Sequence, residues 1–351
     1  MGCLKLLNLN AATPTSTTEM PLDNGIMVNS PSAGGVWIFG VRGPYVFKIN
    51  PTTGVLNSFA KVSDHELDGP TCIAFNPNID RLLIAGWNKK FPGITDNEAG
   101  PYGFNTYIDL FTVDPSTLFV DVVLNLTTNL GLPVGQTGTQ TGVVSMKWMG
   151  TGALEGLWGI FRADNYSALF RYVGGTVFTR KYSDKACFGN ILNDIAWDGI
   201  TNLYWANSQT QEISLEDMSE NVANWNEVDF YNLWPSGSSI PFGVEVAPST
   251  GDIYAGTQLG TVKRLSYAAG FSLISTCNTG VAGTIYKVRY NPYDGLLYCP
   301  IYGQDAIAVI NPGSNGLVAV HAGYDSPWDL LFSATKTWVV QGGNLGIKEF
   351  V

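Results

Sequence analysis

The stretch Val288-Arg289-Tyr290-Asn291-Pro292-Tyr293-Asp294-Gly295-Leu296-Leu297-Tyr298 decides how this chain folds. An apolar run reads as a strand, Asn-Pro-x-x-Gly as a reversal, and Leu297-Tyr298 as the returning strand. Proline presets φ for the turn and the glycine accepts the left-handed conformation that ends it, so the reversal has a mechanism. The same phrase recurs at Cys72-Ile73-Ala74-Phe75, Asn76-Pro77-Asn78-Ile79-Asp80, Leu82-Leu83-Ile84. It recurs again at Val244-Glu245-Val246, Ala247-Pro248-Ser249-Thr250-Gly251, Ile253-Tyr254.

Working outward, the apolar residue at the centre of each first strand is Ile26, Ile73, Met146, Ile195, Val244, Val288 or Leu330. A period of about 40 to 50 residues is that of a repeat architecture, with one longer interval where an insertion follows Ile73. Within a repeat, short apolar strands alternate with turns such as Asp114-Pro115-Ser116-Thr117. Four antiparallel strands make one propeller blade. The pattern predicts an all-β chain, a seven-bladed β-propeller occupying residues 1–351 as one domain. The last repeat, over 328–332, 337–340 and 347–351, ends one strand short. Residues 3–9, Cys3-Leu4-Lys5-Leu6-Leu7-Asn8-Leu9, are the expected closing strand, with 10–20 as a linker, because an unpaired edge is a liability.

The tight Pro-containing turns join first to second and third to fourth strands, which share one face of a propeller. The opposite face should carry the longest segments, at 88–105, 127–142 and 216–239. Long loops in a compact domain tend to be functional. Their aromatic residues Phe91, Tyr102, Phe104, Trp225, Tyr231 and Trp234 are the candidate binding residues, able to stack on sugar rings or anchor a protein.

Composition narrows the function classes. Charged residues make up 14% of the chain, well below the roughly 25% of an ordinary soluble domain. The formal charge is −10 and only 19 residues are Lys or Arg, which argues against nucleic acid, since phosphate binding needs clustered cations. No apolar run approaches the ~18 residues of a membrane-crossing helix, so no membrane insertion is expected. The five cysteines, Cys3, Cys72, Cys187, Cys277 and Cys299, share no CxxC spacing and read as isolated thiols. The first residues match neither a signal peptide nor a myristoylation signal, and the chain is expected to be used unprocessed.

First strands line a propeller's channel, and their polar members are Lys147, Asn193, Asp194, Glu245, Lys287, Arg289 and Asp329. One reading makes the carboxylates counter-ions of the three cations. The other lets Asn193, Asp194, Glu245 and Asp329 hold Ca²⁺ as hard oxygen donors. With only two histidines, a multi-histidine metal site is excluded. No phosphate loop, nucleophile elbow or haem attachment motif appears, and no cofactor is expected on the first reading.

The segment Leu297-Tyr298-Cys299-Pro300-Ile301-Tyr302-Gly303-Gln304-Asp305-Ala306-Ile307-Ala308-Val309-Ile310-Asn311-Pro312 resembles the YVTN and NHL classes of β-propeller repeat. Leu203-Tyr204-Trp205-Ala206-Asn207-Ser208 resembles the YWTD phrase of receptor propellers, without its Thr-Asp. The WD dipeptides Trp197-Asp198 and Trp328-Asp329 sit in first strands and lack an upstream Gly-His, which does not match a WD40 repeat. Low charge with abundant Gly, Asn, Thr and aromatics resembles viral and phage virion proteins. That resemblance implies a non-enzymatic tail or capsid-surface component, docking to a protein or glycan in a larger assembly. The alternatives are a secreted or cell-surface binding propeller, extracellular in place, and a Ca-dependent hydrolase or lactonase using the channel carboxylates.

Overall fold

A computed structural model describes residues 24–42, 45–62, 72–86, 109–129, 142–149, 155–163, 166–175, 177–181, 192–208, 210–217, 227–233, 240–342 and 347–351. They form seven antiparallel sheets. Blade 1 holds β1 (Asn24–Ser30), β2 (Gly35–Arg42), β3 (Tyr45–Ile49) and β4 (Leu56–Lys61). Blade 2 holds β5 (Cys72–Asn76), β6 (Arg81–Ala85), β7 (Asp109–Val113) and β8 (Val120–Asn125), followed by a one-turn helix α1 (Leu126–Asn129). Blade 3 holds β9 (Gly142–Met149), β10 (Gly156–Ala163), β11 (Tyr166–Gly174) and β12 (Val177–Lys181). Blade 4 holds β13 (Leu192–Trp197), β14 (Asn202–Asn207), β15 (Glu212–Asp217) and β16 (Glu227–Asn232). Blade 5 holds β17 (Pro241–Ala247), β18 (Asp252–Thr257), β19 (Thr261–Ser266) and β20 (Ser272–Asn278). Blade 6 holds β21 (Arg289–Tyr290), β22 (Leu297–Ile301), β23 (Ala306–Asn311) and β24 (Gly316–Ala322). Blade 7 holds β25 (Pro327–Phe332), β26 (Thr337–Gln341) and β27 (Ile347–Glu349).

The repeated turn explains why each hairpin closes where it does. At Asn50, Asp114 and Asn291 the side-chain Oδ1 accepts backbone N–H groups two or three residues on, pairing donors that the turn takes out of the ladder. The fifth residue of the phrase then takes a left-handed φ, 70° at Gly251 and 74° at Gly295, and also 53° at Asp80 and 62° at Leu118. The motif therefore enforces its geometry even where glycine is absent, at a strain cost of order 1–3 kcal/mol per non-glycine residue.

Apolar residues of the middle strands pack between neighbouring blades, so the core is a ring of seven clusters. The ring closes between blades 1 and 7. There Ile38, Phe47 and Ile49 pack on Leu331, Trp338 and Val340, and Trp338 Nε1–H donates to Pro51 O at 2.9 Å. Blade 7 has three strands among the described residues, and β27 is its outer edge. The expected closing strand at 3–9 and the linker at 10–20 lie outside the described residues. No described helix is long and apolar enough to cross a membrane.

One expectation is corrected. Residues 216–239 are not a single loop on the long-segment face, because they contain β16, which pairs with β15. The ends of β15 and β16 joined by residues 218–226 lie on the tight-turn face. The other end of β16, at Asn232, lies on the opposite one.

Candidate functional site

In a strand, successive side chains point to opposite sides. In blades 3 to 7 the polar residues flanking the central apolar one of the first strand face the channel. Ser145 and Lys147 come from β9, Asp194 from β13 and Glu245 from β17. Lys287 precedes β21, Arg289 lies on it, and Asp329 comes from β25.

These groups pair across the channel. Lys287 Nζ donates to Asp194 Oδ1 at 2.6 Å, and Ser145 Oγ–H donates to the same oxygen at 2.9 Å. Asp194 Oδ2 lies 3.7 Å from Arg289 Nη1 and accepts the Val244 N–H at 3.4 Å. Arg289 grips Asp329 with Nε to Oδ1 at 2.7 Å and Nη2 to Oδ2 at 2.8 Å. This is the fork-to-fork pairing that a guanidinium forms with a carboxylate. Lys147 Nζ meets Glu245 Oε1 at 3.2 Å. The side chains of Asp194 and Lys287 are 1% and 5% exposed, so neither charge could survive there alone.

Burial works against ionising Asp194, yet Lys287, Arg289 and the hydrogen bonds from Lys287 and Ser145 outweigh it and hold its carboxyl below the usual range. Burial likewise opposes the charge on Arg289, and Asp329 and Asp194 overcome it, raising its pKa further. Beside the network a cavity of about 300 Å³ opens, lined by Ile26, Ser145, Lys147, Arg289, Asp329 and Phe332 among others.

Of the four proposed calcium donors, three are drawn into these ion pairs. The fourth, Asn193, is not with them. The β13–β14 ladder is irregular between Leu192 and Asp194, and the Asn193 amide donates to Pro241 O of the next blade at 3.5 Å. Among the described residues no three His, Cys, Asp or Glu side chains gather as a metal set. The thiols of Cys72, Cys277 and Cys299 are buried and free. Burial pushes Cys72 up to about 12, far from a reactive thiolate.

A second constellation lies at the channel's mouth on the long-segment face. Phe242, Tyr286 and Trp328 each stand two residues before the central apolar residue of their repeat, in three successive blades. Their rings touch in series. Phe242 meets Tyr286 edge-on with centroids 5.0 Å apart, and Tyr286 stacks on Trp328 at 4.8 Å. Tyr302, just past β22, stands edge-on to Tyr286 at 5.4 Å and to Trp328 at 5.8 Å. Phe242, Tyr286 and Trp328 are half-buried, and Tyr302 is 42% exposed. The close approach depends on Gly243, where a Cβ would sit 2.9 Å from the Lys287 backbone.

Of the residues expected to bind through loops, Phe91, Tyr102, Phe104, Trp225 and Trp234 lie outside the described residues. Tyr231 does not sit in a loop. It is on β16, half-buried, with its ring 6.4 Å from Phe271 in the core between blades 4 and 5. The mouth cluster was missed because its members sit singly in first strands, and Trp328 reads as half of a WD dipeptide. The signal was the aromatic at one fixed position of three consecutive repeats.

No protein-family model matches the chain, and no curated protein sequence does. Solved structures do. The chain is similar to the β-propeller domain of Cps50 (Swd1) from Myceliophteria thermophila, with a TM-score of 0.60 and 9% identity over 93% of this chain and 96% of that one. It is also similar to the WD40 β-propeller domain of Doa1, with a TM-score of 0.59 and 10% identity over 94% of this chain and 96% of that one. At such identity the likeness is one of fold, and it matches the seven-bladed ring described above. It does not extend to the repeat signature, since Trp197 and Trp328 both lie on innermost strands.

Proposed function

We propose that this protein is a non-enzymatic docking propeller that holds a protein or glycan against its long-segment face within a larger assembly. The observation that carries the reading is the contiguous Phe242–Tyr286–Trp328–Tyr302 cluster, left half-exposed across three blades. Aromatic residues are the side chains most enriched where surfaces bind. The channel supports the same reading, because its carboxylates are engaged by Lys147, Lys287 and Arg289. A general acid or base needs a proton it can exchange near working pH. The low charge and Gly/Asn-rich composition favour a virion surface as the setting, and the phrase Leu297–Pro312 favours a YVTN/NHL-like repeat.

Cross-linking mass spectrometry on the native source tests this. Cross-links from residues 240–243, 257–261, 279–286, 302–305 and 323–328 to another virion protein are the expected result. A chain that cross-links only through its tight-turn face would overturn it.

A further inference from the structure

We infer that the Phe242–Tyr286–Trp328–Tyr302 cluster is a platform for a neutral oligosaccharide, an inference that rests on the docking reading above and names the chemistry of what docks. The first argument is geometric. Centroid separations of 4.8 to 5.8 Å are those of rings in contact, so no slot remains between them for an apolar side chain. Protein hot spots are anchors seated in well-packed pockets. A closed aromatic surface instead offers ring faces and edges to the C–H face of a pyranose.

The second argument is the polar rim. Thr284 bridges to Tyr302, Gln304 is exposed beside it, Ser326 precedes the Pro327-Trp328 pair, and Gln258 hydrogen-bonds through its backbone N–H to Ile240 O, two residues before Phe242. Amides and hydroxyls both donate and accept hydrogen bonds, as sugar hydroxyls do. The third is charge. The cations of this sector, Lys287 and Arg289, point into the channel and are held there by Asp194 and Asp329. What remains at the mouth is Asp305, whose carboxylate accepts the Ser326 N–H, and Asp325. Among the described residues Lys348 also reaches this face, with its ammonium donating to Gly323 O, so an anionic partner meets these two carboxylates and a cation already held by a carbonyl.

The test is an array of neutral hexose and N-acetylhexosamine oligosaccharides beside sialylated and sulfated ones, probed with the full chain. The neutral set should be retained by the wild-type protein and weakened about tenfold in Trp328→Ala, with Phe119→Ala, an exposed aromatic in the β7–β8 turn, unchanged. Tyr302→Ala, at a more exposed ring, gives the same readout should Trp328→Ala melt early. Retention of acidic glycans alone, or neutral binding untouched by both variants, would overturn the inference. A silent array together with protein cross-links lost in Tyr302→Ala would overturn the glycan and leave the docking reading standing. A silent array with cross-links confined to the tight-turn face would remove both.

Discussion

The channel and its mouth are built from the same first strands, yet they end in opposite chemical states. Residues facing the channel are charged and satisfied: Asp194, Lys287, Arg289 and Asp329 spend their charges on one another. The residues just outside them, Phe242, Tyr286 and Trp328, touch one another and still leave surface in water. One strand of alternating side chains thus separates a group that fixes the ring from a group free to meet a partner. Their substitutions should separate as well, the first costing stability and the second costing binding.

The largest expected effect is on the channel side. Asp194→Ala leaves the buried Lys287 ammonium and one side of Arg289 without a counter-ion, and removing one member of a buried pair costs about 3–5 kcal/mol. Urea denaturation should show that loss. A shift below about 1 kcal/mol would mean that Lys287 finds water or another acceptor, and the channel would no longer be the keystone of the ring. The mirror substitution is Trp328→Ala. Its ring is half-buried, so the stability cost should be no more than ~2 kcal/mol, while partner cross-links through the long-segment face disappear. Loss of folding with retained docking in the soluble fraction would invert the comparison.

A pH titration sharpens it further. Asp194 is held below the ordinary carboxyl value by Lys287 and Arg289 against the cost of burial. Its contribution is therefore fully present above the unfolded value, about 3.9, and is lost as pH falls through the lower folded value. Stability should fall steeply below about pH 4, and part of that fall should be missing in Asp194→Asn. Asp80 and Asp114, also lowered despite burial, will contribute their own share in both proteins. Equal acid limbs in the two proteins would contradict the assigned pairing.

How much of this was legible in the chain differs between the two regions for a physical reason. The hairpins were, because Asn/Asp-Pro-x-x-Gly specifies both a side-chain acceptor and a left-handed residue, two local requirements that survive without tertiary context. The channel ion pairs were too, since parity along a strand is local; Asn193 was misjudged against that same parity, for it lies two residues before Ile195 and faces the opposite side from Asp194. Strand β16 was missed because in Glu227-Val228-Asp229-Phe230-Tyr231-Asn232, an outermost strand, the apolar alternation does not mark the buried face: Phe230 is exposed and the adjacent Tyr231 packs against the core. The mouth cluster was hidden for a different reason. Phe242, Tyr286 and Trp328 become neighbours only when three repeats stand side by side, and Tyr302 joins them from a second strand. No window of one repeat contains the site.

The smallest expected effect concerns calcium. For the ion to bind at Asp194, Glu245 or Asp329 it must displace Lys287, Lys147 or the two-pronged grip of Arg289, and each displaced cation would then sit in or beside a buried channel without its partner. Ligand binding raises stability only by the free energy left after such costs. Millimolar calcium should therefore move the melting temperature of the wild-type protein by less than about 1 °C. Lys147→Met is the informative companion, because Lys147 is the most exposed of the three cations, with its side chain 37% open to solvent, and its removal frees Glu245 at the least structural cost. If calcium stabilises the wild-type protein and the effect vanishes in Asp194→Asn, the channel is a cation site and its ion pairs are the resting state of that site. If calcium stabilises only Lys147→Met, the lysine occupies the place a metal would take, and the channel's carboxylates are held for the ring alone.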